Sequence, residues 1–231
     1  CSSSSSSSSS TWAQFQRQHF SLSPTPWCGD GAFVEPFSFD QISIGTSRPH
    51  LTGVVYSQEC TSMLPAVLLQ AAVEQQRTEG FTAGLRVLDL CAAPGSKTTQ
   101  LGAWLHERHG SNNLLVATEF VPQRARTLRT NLLRAGLSNT LTICTDGRNV
   151  GCRAAEAFDA VLVDVPCSGE GRIRASSAEL EHWCTTGCTS FLERRRELQL
   201  QLLRSGWQAL REGGVLVYST CTLNSTENEE V

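Results

Sequence analysis

The sequence predicts an α/β fold, a doubly wound and mostly parallel sheet with helices on both faces. Three observations predict it. From Gly53 onward, short apolar runs alternate with longer segments of helical periodicity. The runs are continuously apolar, as in Leu115-Val-Ala-Thr118 and Val161-Leu-Val163, which marks strands buried on both faces. They end on Asp, Glu or Cys followed by loop residues, and in an open α/β sheet such carboxyl ends face the ligand crevice.

Each element follows from local signals. Ser2 to Ser10 is a homopolymer tract with no apolar surface to bury, expected to be disordered. Residues 11–52 carry Pro24, Pro26, Pro36 and Pro49 and read as an irregular remnant of an N-terminal extension. Gly53 to Ser57 reads as a short strand. A helix is expected from Ser62 to Gln76, with Ser62 as N-cap and Pro65 in the first turn, where a missing N–H costs nothing. Leu85 to Leu90 is a strand, Ala92-Ala-Pro-Gly95 a turn, and Ser96 to Glu107 a helix. Leu114 to Thr118 is the next strand, followed by a helix from Pro122 to Ala135 that Gly136 stops. Thr140 to Cys144 and Ala160 to Val163 are strands. Thr189 to Arg211 reads as a long amphipathic helix, with Leu198, Leu202, Leu203, Trp207 and Leu210 on one stripe. Gly213-Gly214 ends it, and Val215 to Tyr218 is the last strand. The architecture is Rossmann-like, with one domain over residues 53–231. It is expected to be cut at its C-terminus, because the chain stops at Glu229-Glu230-Val231 in what reads as a starting helix, and it opens on Cys1 rather than Met.

Composition narrows the class. A chain of 231 residues with 40% hydrophobic and 18% charged residues suits a globular protein, and no apolar stretch is long enough to span a bilayer. The ten cysteines are scattered through strand-like and helix-like segments, which favours reduced thiols and an intracellular setting. His182, Cys184 and Cys188 lie close together, yet no second pair has ligand spacing, so no metal is expected. A net charge of −3 argues against binding nucleic acid through bulk charge. Local basic clusters remain at Arg124, Arg126, Arg129 and Arg134, at Arg172 and Arg174, and at Arg194-Arg195-Arg196. Of these, Arg172 and Arg174 are the better candidates for phosphate contact, because they follow Cys167 directly.

The chemistry gathers at the strand ends. Gly95 allows close backbone approach, and the helix after it points free N–H groups into the crevice, but the turn is not the G-x-G-x-x-G fingerprint, so NAD is a poor fit. Glu119, Asp146 and Asp164 each close a strand. One such acid is often a cap; three at consecutive strand ends describe a nucleoside pocket, and without a phosphate cradle it suits S-adenosylmethionine. Asp164-Val-Pro-Cys167 and Tyr218-Ser-Thr-Cys221 each deliver a thiol to the same edge. A thiol is needed when the target is a pyrimidine C5, which becomes nucleophilic only once C6 carries a covalent adduct. The bland alternative for either is a small buried cysteine packing behind the sheet.

Leu88-Asp-Leu-Cys-Ala-Ala-Pro-Gly-Ser-Lys97, Asp164-Val-Pro-Cys-Ser-Gly169 and Tyr218-Ser-Thr-Cys-Thr222 together resemble the Nop/Sun family of RNA cytosine-5 methyltransferases. Tyr56-Ser-Gln-Glu59 with Ser62-Met-Leu-Pro65 is similar to the segment this family places before its cofactor domain. The resemblance covers about residues 53 to 231. Gly95 to Leu101, the segment after Trp183, and Leu223-Asn224 look closest to the eukaryotic multisite tRNA methyltransferase branch. The resemblance implies a class I S-adenosylmethionine-dependent methyltransferase acting on RNA, with tRNA favoured, as a monomer in the nucleus or nucleolus. It implies that Cys91, Ala92, Ala93, Pro94, Gly95, Ser96 and Lys97 wrap the methionine part of the cofactor. Glu119 would hold the ribose, Asp146 would contact adenine, and Asp164 would lie beside cofactor and cytosine, favouring protonation at N3. Cys221 would be the nucleophile at C6, and Cys167 would assist its release.

Two departures stand out. Ala175 and Ser176 replace a usual basic residue and Asn, and Asn224-Ser225-Thr226-Glu227 replaces a usual Asn-Pro-x-Glu, which is expected to loosen the loop carrying Cys221. Three alternatives remain: a DNA cytosine-5 methyltransferase attacking through Cys167, a non-catalytic RNA-binding paralogue, and an enzyme acting on rRNA rather than tRNA.

Overall fold

The structure, a computed structural model, describes residues 23–25, 27–28, 33–34, 44–76, 84–109, 112–170, 181 and 189–231. The chain forms two compact units, Cys1–Ser47 and Arg48–Val231. In the first, β1 (Ser23–Pro24) pairs antiparallel with β2 (Phe33–Val34), and a 3-10 turn covers Ile44–Thr46. The serine tract lies outside the described residues.

The second unit opens with the short helix α1 (Arg48–Leu51). The expected strand at 53–57 is absent. Gly53 turns the chain at φ +82°, and the N–H groups of Val54 and Val55 donate to Pro49 O instead of to a neighbouring strand. A side chain at Gly53 would put its Cβ 1.8 Å from Arg134 O, so close approach as well as backbone angle demands glycine here. The next helix is α2 (Leu64–Gln76), entered through a 3-10 turn over Cys60–Met63. Ser62 lies inside that 3-10 turn, whose cap is Glu59: the Glu59 carboxylate accepts the Ser62 N–H at 3.1 Å.

Five strands follow, β3 (Arg86–Asp89), β4 (Leu114–Glu119), β5 (Thr140–Cys144), β6 (Phe158–Asp164) and β7 (Leu210–Ser219), all parallel in the order β5-β4-β3-β6-β7. The first strand of the sheet is central and the order reverses beside it, the doubly wound arrangement expected from the sequence. The helices between them are α3 (Ser96–His109), α4 (Pro122–Arg134), α5 (Val150–Arg153) and α6 (Thr189–Ala209). Alternation along β3 divides the core. Val87 packs with Leu69, Leu101 and Leu105 from α2 and α3, while Leu88 packs with Val150, Leu202 and Ala209 from α5 and α6. Both residues are fully buried, which is why the strand reads as an unbroken apolar run.

The C-terminal elements depart from expectation. Helix α6 ends at Ala209, and β7 begins at once with Leu210 opposite Phe158, then slips so that Val215 faces Ala160. Gly213 takes φ +72° inside this irregular stretch. Residues 225–227 form a 3-10 turn, not the start of a helix, capped by Asn224 through Thr226 N. Among the described residues no helix is long and apolar enough to cross a membrane.

Candidate active site

Where the sheet order reverses, the chain leaving β3 hands its backbone to both neighbours. Leu90 N donates to Leu162 O of β6, and Ala92 N to Thr118 O of β4. The turn that follows is held by α4: Arg124 Nη2 donates to Ala93 O at 2.7 Å and Asn131 Nδ2 to Pro94 O at 2.7 Å. The Ala93–Pro94 peptide is cis, and Gly95 sits at φ +110°. A Cβ there would lie 3.0 Å from Leu128 Cδ1 in the core beneath, so the turn needs glycine on two counts. Helix α3 starts at Ser96 and presents its first N–H groups at the sheet's carboxyl edge.

Carboxylates ring the turn. Asp89 is buried under it, bonded to Thr98 Oγ1 at 2.7 Å, and its Oδ1 has no hydrogen-bond partner. Burial, offset by that bond and aided by the nearby Asp164 charge, pushes the Asp89 carboxyl up to about 7. Burial, with the charges of Asp89, Glu119 and Asp164 around it, pushes the Cys91 thiol far above its ordinary value, so it stays protonated and unreactive. Glu119 accepts Val121 N at 2.9 Å and pairs with Arg124 at 3.5 Å. Asp146 caps the 3-10 turn over Gly147–Asn149, and the Arg148 side chain bonds both its oxygens. That hydrogen bonding holds its carboxyl below the usual range.

The turn reaches the thiols through one ion pair. Lys97 Nζ lies 2.8 Å from Asp164 Oδ2, while Ser219 Oγ donates to Asp164 Oδ1 at 2.7 Å. Asp164 thus ties the turn after β3, the end of β6 and the end of β7 into one cluster. Just beyond it, Cys167 Sγ and Cys221 Sγ are 2.8 Å apart, and Cys221 N donates to Cys167 Sγ at 3.2 Å. The Cys221 thiol as donor, opposed by burial and helped by the N–H groups of Cys221 and Gly169, pulls the Cys167 thiol down to about 7. Cys221 is the exposed member of the pair. Charge therefore favours the thiolate on Cys167, and access favours attack from Cys221.

A protein-family model described as 16S rRNA methyltransferase RsmB/F matches residues 71–231. The chain belongs to that family. Two curated relatives, each named "Ribosomal RNA small subunit methyltransferase F", share 42% identity with it. One, from Enterobacter sp. (strain 638), aligns with 91% of this chain and 40% of its own length. The other, from Salmonella heidelberg (strain SL476), aligns with 92% of this chain and 41% of its own. The chain thus spans well under half the length of these curated relatives. Among solved structures, a methyltransferase homolog protein from Pyrococcus horikoshii covers 98% of this chain with TM-score 0.74 at 29% identity, and 64% of that protein is matched. NSun6 from the same organism, solved with SFG, covers 82% of this chain and 44% of its own at 28% identity, TM-score 0.66. The Rossmann-like methyltransferase fold is shared with both solved structures.

Within this RsmB/F member, the structure brings together Cys91 to Lys97, Asp164, Cys167 and Cys221. Glu119 and Asp146 stand at the ends of β4 and just past β5, engaged by Arg124 and Arg148. Lys97 is directed at Asp164 across the crevice. Arg172, Arg174, Ala175 and Ser176, like His182, Cys184 and Cys188, lie outside the described residues. Among the described residues no cluster suited to a metal occurs. The loop after Cys221 is fastened, not loose. Glu227 is 0% exposed and accepts from Ser168 N and Gln199 Nε2, and Asn228 Nδ2 donates to Thr222 O and Asn224 O. The sequence reading missed Arg124, Asn131, Gln199, Glu170 and Glu227 as site-building residues. For Glu170 and Glu227 the available signal was a run of polar residues after each cysteine, which by itself reads as solvated loop; Arg124, Asn131 and Gln199 lie on helices remote in sequence from both cysteines.

Proposed function

We propose that this chain is the catalytic part of an S-adenosylmethionine-dependent RNA methyltransferase that modifies C5 of cytosine through a covalent Cys221–C6 adduct. The single observation that carries the reading is the thiol pair set beside the Lys97–Asp164 ion pair at adjacent strand ends. The residues fit the cofactor. The small-residue turn leaves room for backbone approach, Asp89 Oδ1 is a buried acceptor without a partner, and Glu119 retains acceptor capacity, since a carboxylate offers about four lone-pair sites. When bound, S-adenosylmethionine supplies an electrophilic methyl group on a sulfonium.

The chain's own residues prepare and release the base. Cys167 accepts the Cys221 proton across the 2.8 Å contact, freeing the exposed sulfur to bond C6. Asp164 stabilises a proton at N3, which draws electron density from C6 and eases that attack. With C6 saturated by sulfur, C5 is nucleophilic. After C5 carries its methyl, a water molecule takes the C5 proton as base, the freed C–H pair re-forms the C5–C6 double bond, and the C6–S electron pair leaves with Cys221. The proton held by Cys167 returns to it.

The family resemblance suggested tRNA, and the relatives' names point to small-subunit rRNA; the 42% identity to those relatives favours rRNA as the first substrate to try. The test is trapping on 5-azacytidine-containing RNA with the intact protein, followed by sequencing of the linked RNA. A covalent adduct that disappears in Cys221→Ala is expected on that RNA, and on ordinary cytosine-containing RNA an adduct that accumulates in Cys167→Ala. Loss of the adduct in Cys167→Ser with Cys221→Ser unaffected would reverse the two roles. Cofactor binding without an adduct on either RNA would favour the non-catalytic paralogue.

A further inference from the structure

Each thiol-bearing loop extends one carboxylate to the backbone of the other. From the Cys221 loop, Glu227 reaches back and accepts the N–H of Ser168, the residue after Cys167, at 3.0 Å. From the Cys167 loop, Glu170 Oε2 accepts the Thr222 hydroxyl at 2.8 Å and the Leu223 N–H at 2.9 Å, the two residues after Cys221. Ser168 Oγ donates to Thr222 Oγ1 at 3.2 Å between them. Helix α6 backs the arrangement, with Gln199 Nε2 donating to both Glu227 Oε1 at 2.8 Å and Pro166 O at 3.1 Å. The Tyr218 hydroxyl donates to Glu227 O at 2.8 Å. Glu227 is fully buried, and among the described residues its carboxylate is met by neutral donors, Ser168 N and Gln199 Nε2. A buried carboxylate in that setting is costly unless the bonds it receives hold a geometry worth keeping.

We propose that Glu170 and Glu227 are positioning residues forming a reciprocal clasp that holds Cys167 in proton-transfer reach of Cys221. The inference rests on the functional reading above for its consequence, turnover of the adduct, but its geometric content is independent of that reading. Both thiols sit on loops past the end of the sheet, where no ladder hydrogen bond sets their spacing. Val165 N still bonds Ser219 O, the last rung, and everything beyond it depends on side chains. Charge-assisted bonds from a carboxylate to N–H groups are short and directional, so two of them pointing in opposite senses fix both the separation and the offset of the loops.

The two carboxylates also differ in electrical effect. The Glu227 charge opposes ionisation of Cys167, so it restrains the thiolate that the neighbouring donors favour. Replacing it by glutamine keeps an oxygen for Ser168 N and removes that restraint.

The test uses the intact protein and the variants Glu170→Ala, Glu170→Gln and Glu227→Gln. The ruler is disulfide formation between Cys167 and Cys221 by diamide, which takes the two thiol hydrogens and becomes the hydrazine; the linked peptides are followed by mass spectrometry. Glu170→Ala is expected to slow cross-linking about tenfold, as loss of a pair of charge-assisted bonds would, with cofactor affinity unchanged. Glu170→Gln is expected to restore most of the rate. On 5-azacytidine-free RNA under single turnover, Glu170→Ala is expected to form adduct and release it slowly, as Cys167→Ala does. Glu227→Gln is expected to move the pH midpoint of Cys167 alkylation downward, a shift that a purely structural role would not produce. Cross-linking and release at wild-type rates in Glu170→Ala would overturn the clasp. So would loss of cofactor binding in Glu170→Ala that Glu170→Gln does not rescue. Slowed cross-linking with no adduct in any protein, wild type included, supports the clasp and counts against the functional reading alone.

Discussion

Gly95→Ala tests whether the turn after β3 is what holds the cofactor. The residue adopts φ +110°, where an L side chain costs about 1–3 kcal/mol. The added Cβ would meet Leu128 Cδ1 at 3.0 Å, and Leu128 is fully buried among Ala92, Ala93, Ala117 and Leu132, so it cannot swing away. Overpacking of that kind adds about 1–3 kcal/mol. The sum is about 4 kcal/mol, which lowers Tm by about 8–16 °C in a domain of this size. Part of the strain is relieved by moving the turn, which breaks the Asn131 bond to Pro94 O and the Arg124 bond to Ala93 O. Each 1.4 kcal/mol so redirected weakens cofactor binding about tenfold. Gly136→Ala is the control. It also has positive φ, at +71°, but nothing lies within 4 Å of the new Cβ, so about 1 kcal/mol of stability is lost with no change in cofactor affinity. Thermal melts and titration calorimetry with S-adenosylmethionine read both quantities. Wild-type affinity in Gly95→Ala, or equal loss of affinity in Gly136→Ala, would refute the reasoning.

Two further outcomes follow from the titrating groups. Alkylation of Cys167 by iodoacetamide should rise with pH through a midpoint near 7, and Cys221→Ala, which removes the largest cause of the depression, should move that midpoint toward the ordinary thiol value of 9.0; a peptide-resolved pH profile checks both. Asp89 has a folded-state value raised from 3.8 to about 7, so its proton stays bound on folding through that window, and the stability it contributes is full below about pH 4 and lost as pH rises through 7. Asp89→Asn should therefore flatten the pH dependence of Tm between those limits, and a wild-type-like slope in the variant would exclude Asp89 as its source.

The strands and helices near the turn at 91–97 were legible because their signals are local. β5 runs over Thr140–Cys144 as expected, β4 and α4 differ from expectation by a residue at one end, and β3 is shorter by a residue at each end. Misreadings came where a partner outside the segment decides. Val54 and Val55 look like strand residues, yet the chain there bonds back to Pro49, and Val54 is left 69% exposed. Ser62 looks like a cap, but Glu59 is longer and reaches its N–H first. The last helix and strand were misjudged because the break falls at Ala209, where packing on Phe158 and not glycine content turns the chain.

The functional site divides in the same way. The order of residues alone determined the Rossmann-like class, the turn at 91–97, the acids at the strand ends, and the two thiols delivered to one edge, because strand periodicity and strand-end position are properties of contiguous residues. Tertiary structure alone decided that Lys97 meets Asp164, that Arg148 occupies Asp146, and that the sulfurs of Cys167 and Cys221 lie 2.8 Å apart although 54 residues separate them. It also turned Glu227, a polar residue in a polar run, into a fully buried carboxylate bonded to Ser168, 59 residues earlier. The physical reason is that hydrogen bonding and burial depend on what the sheet order brings alongside. That order is set by the packing of two core layers over the whole unit, and no window of the sequence contains it.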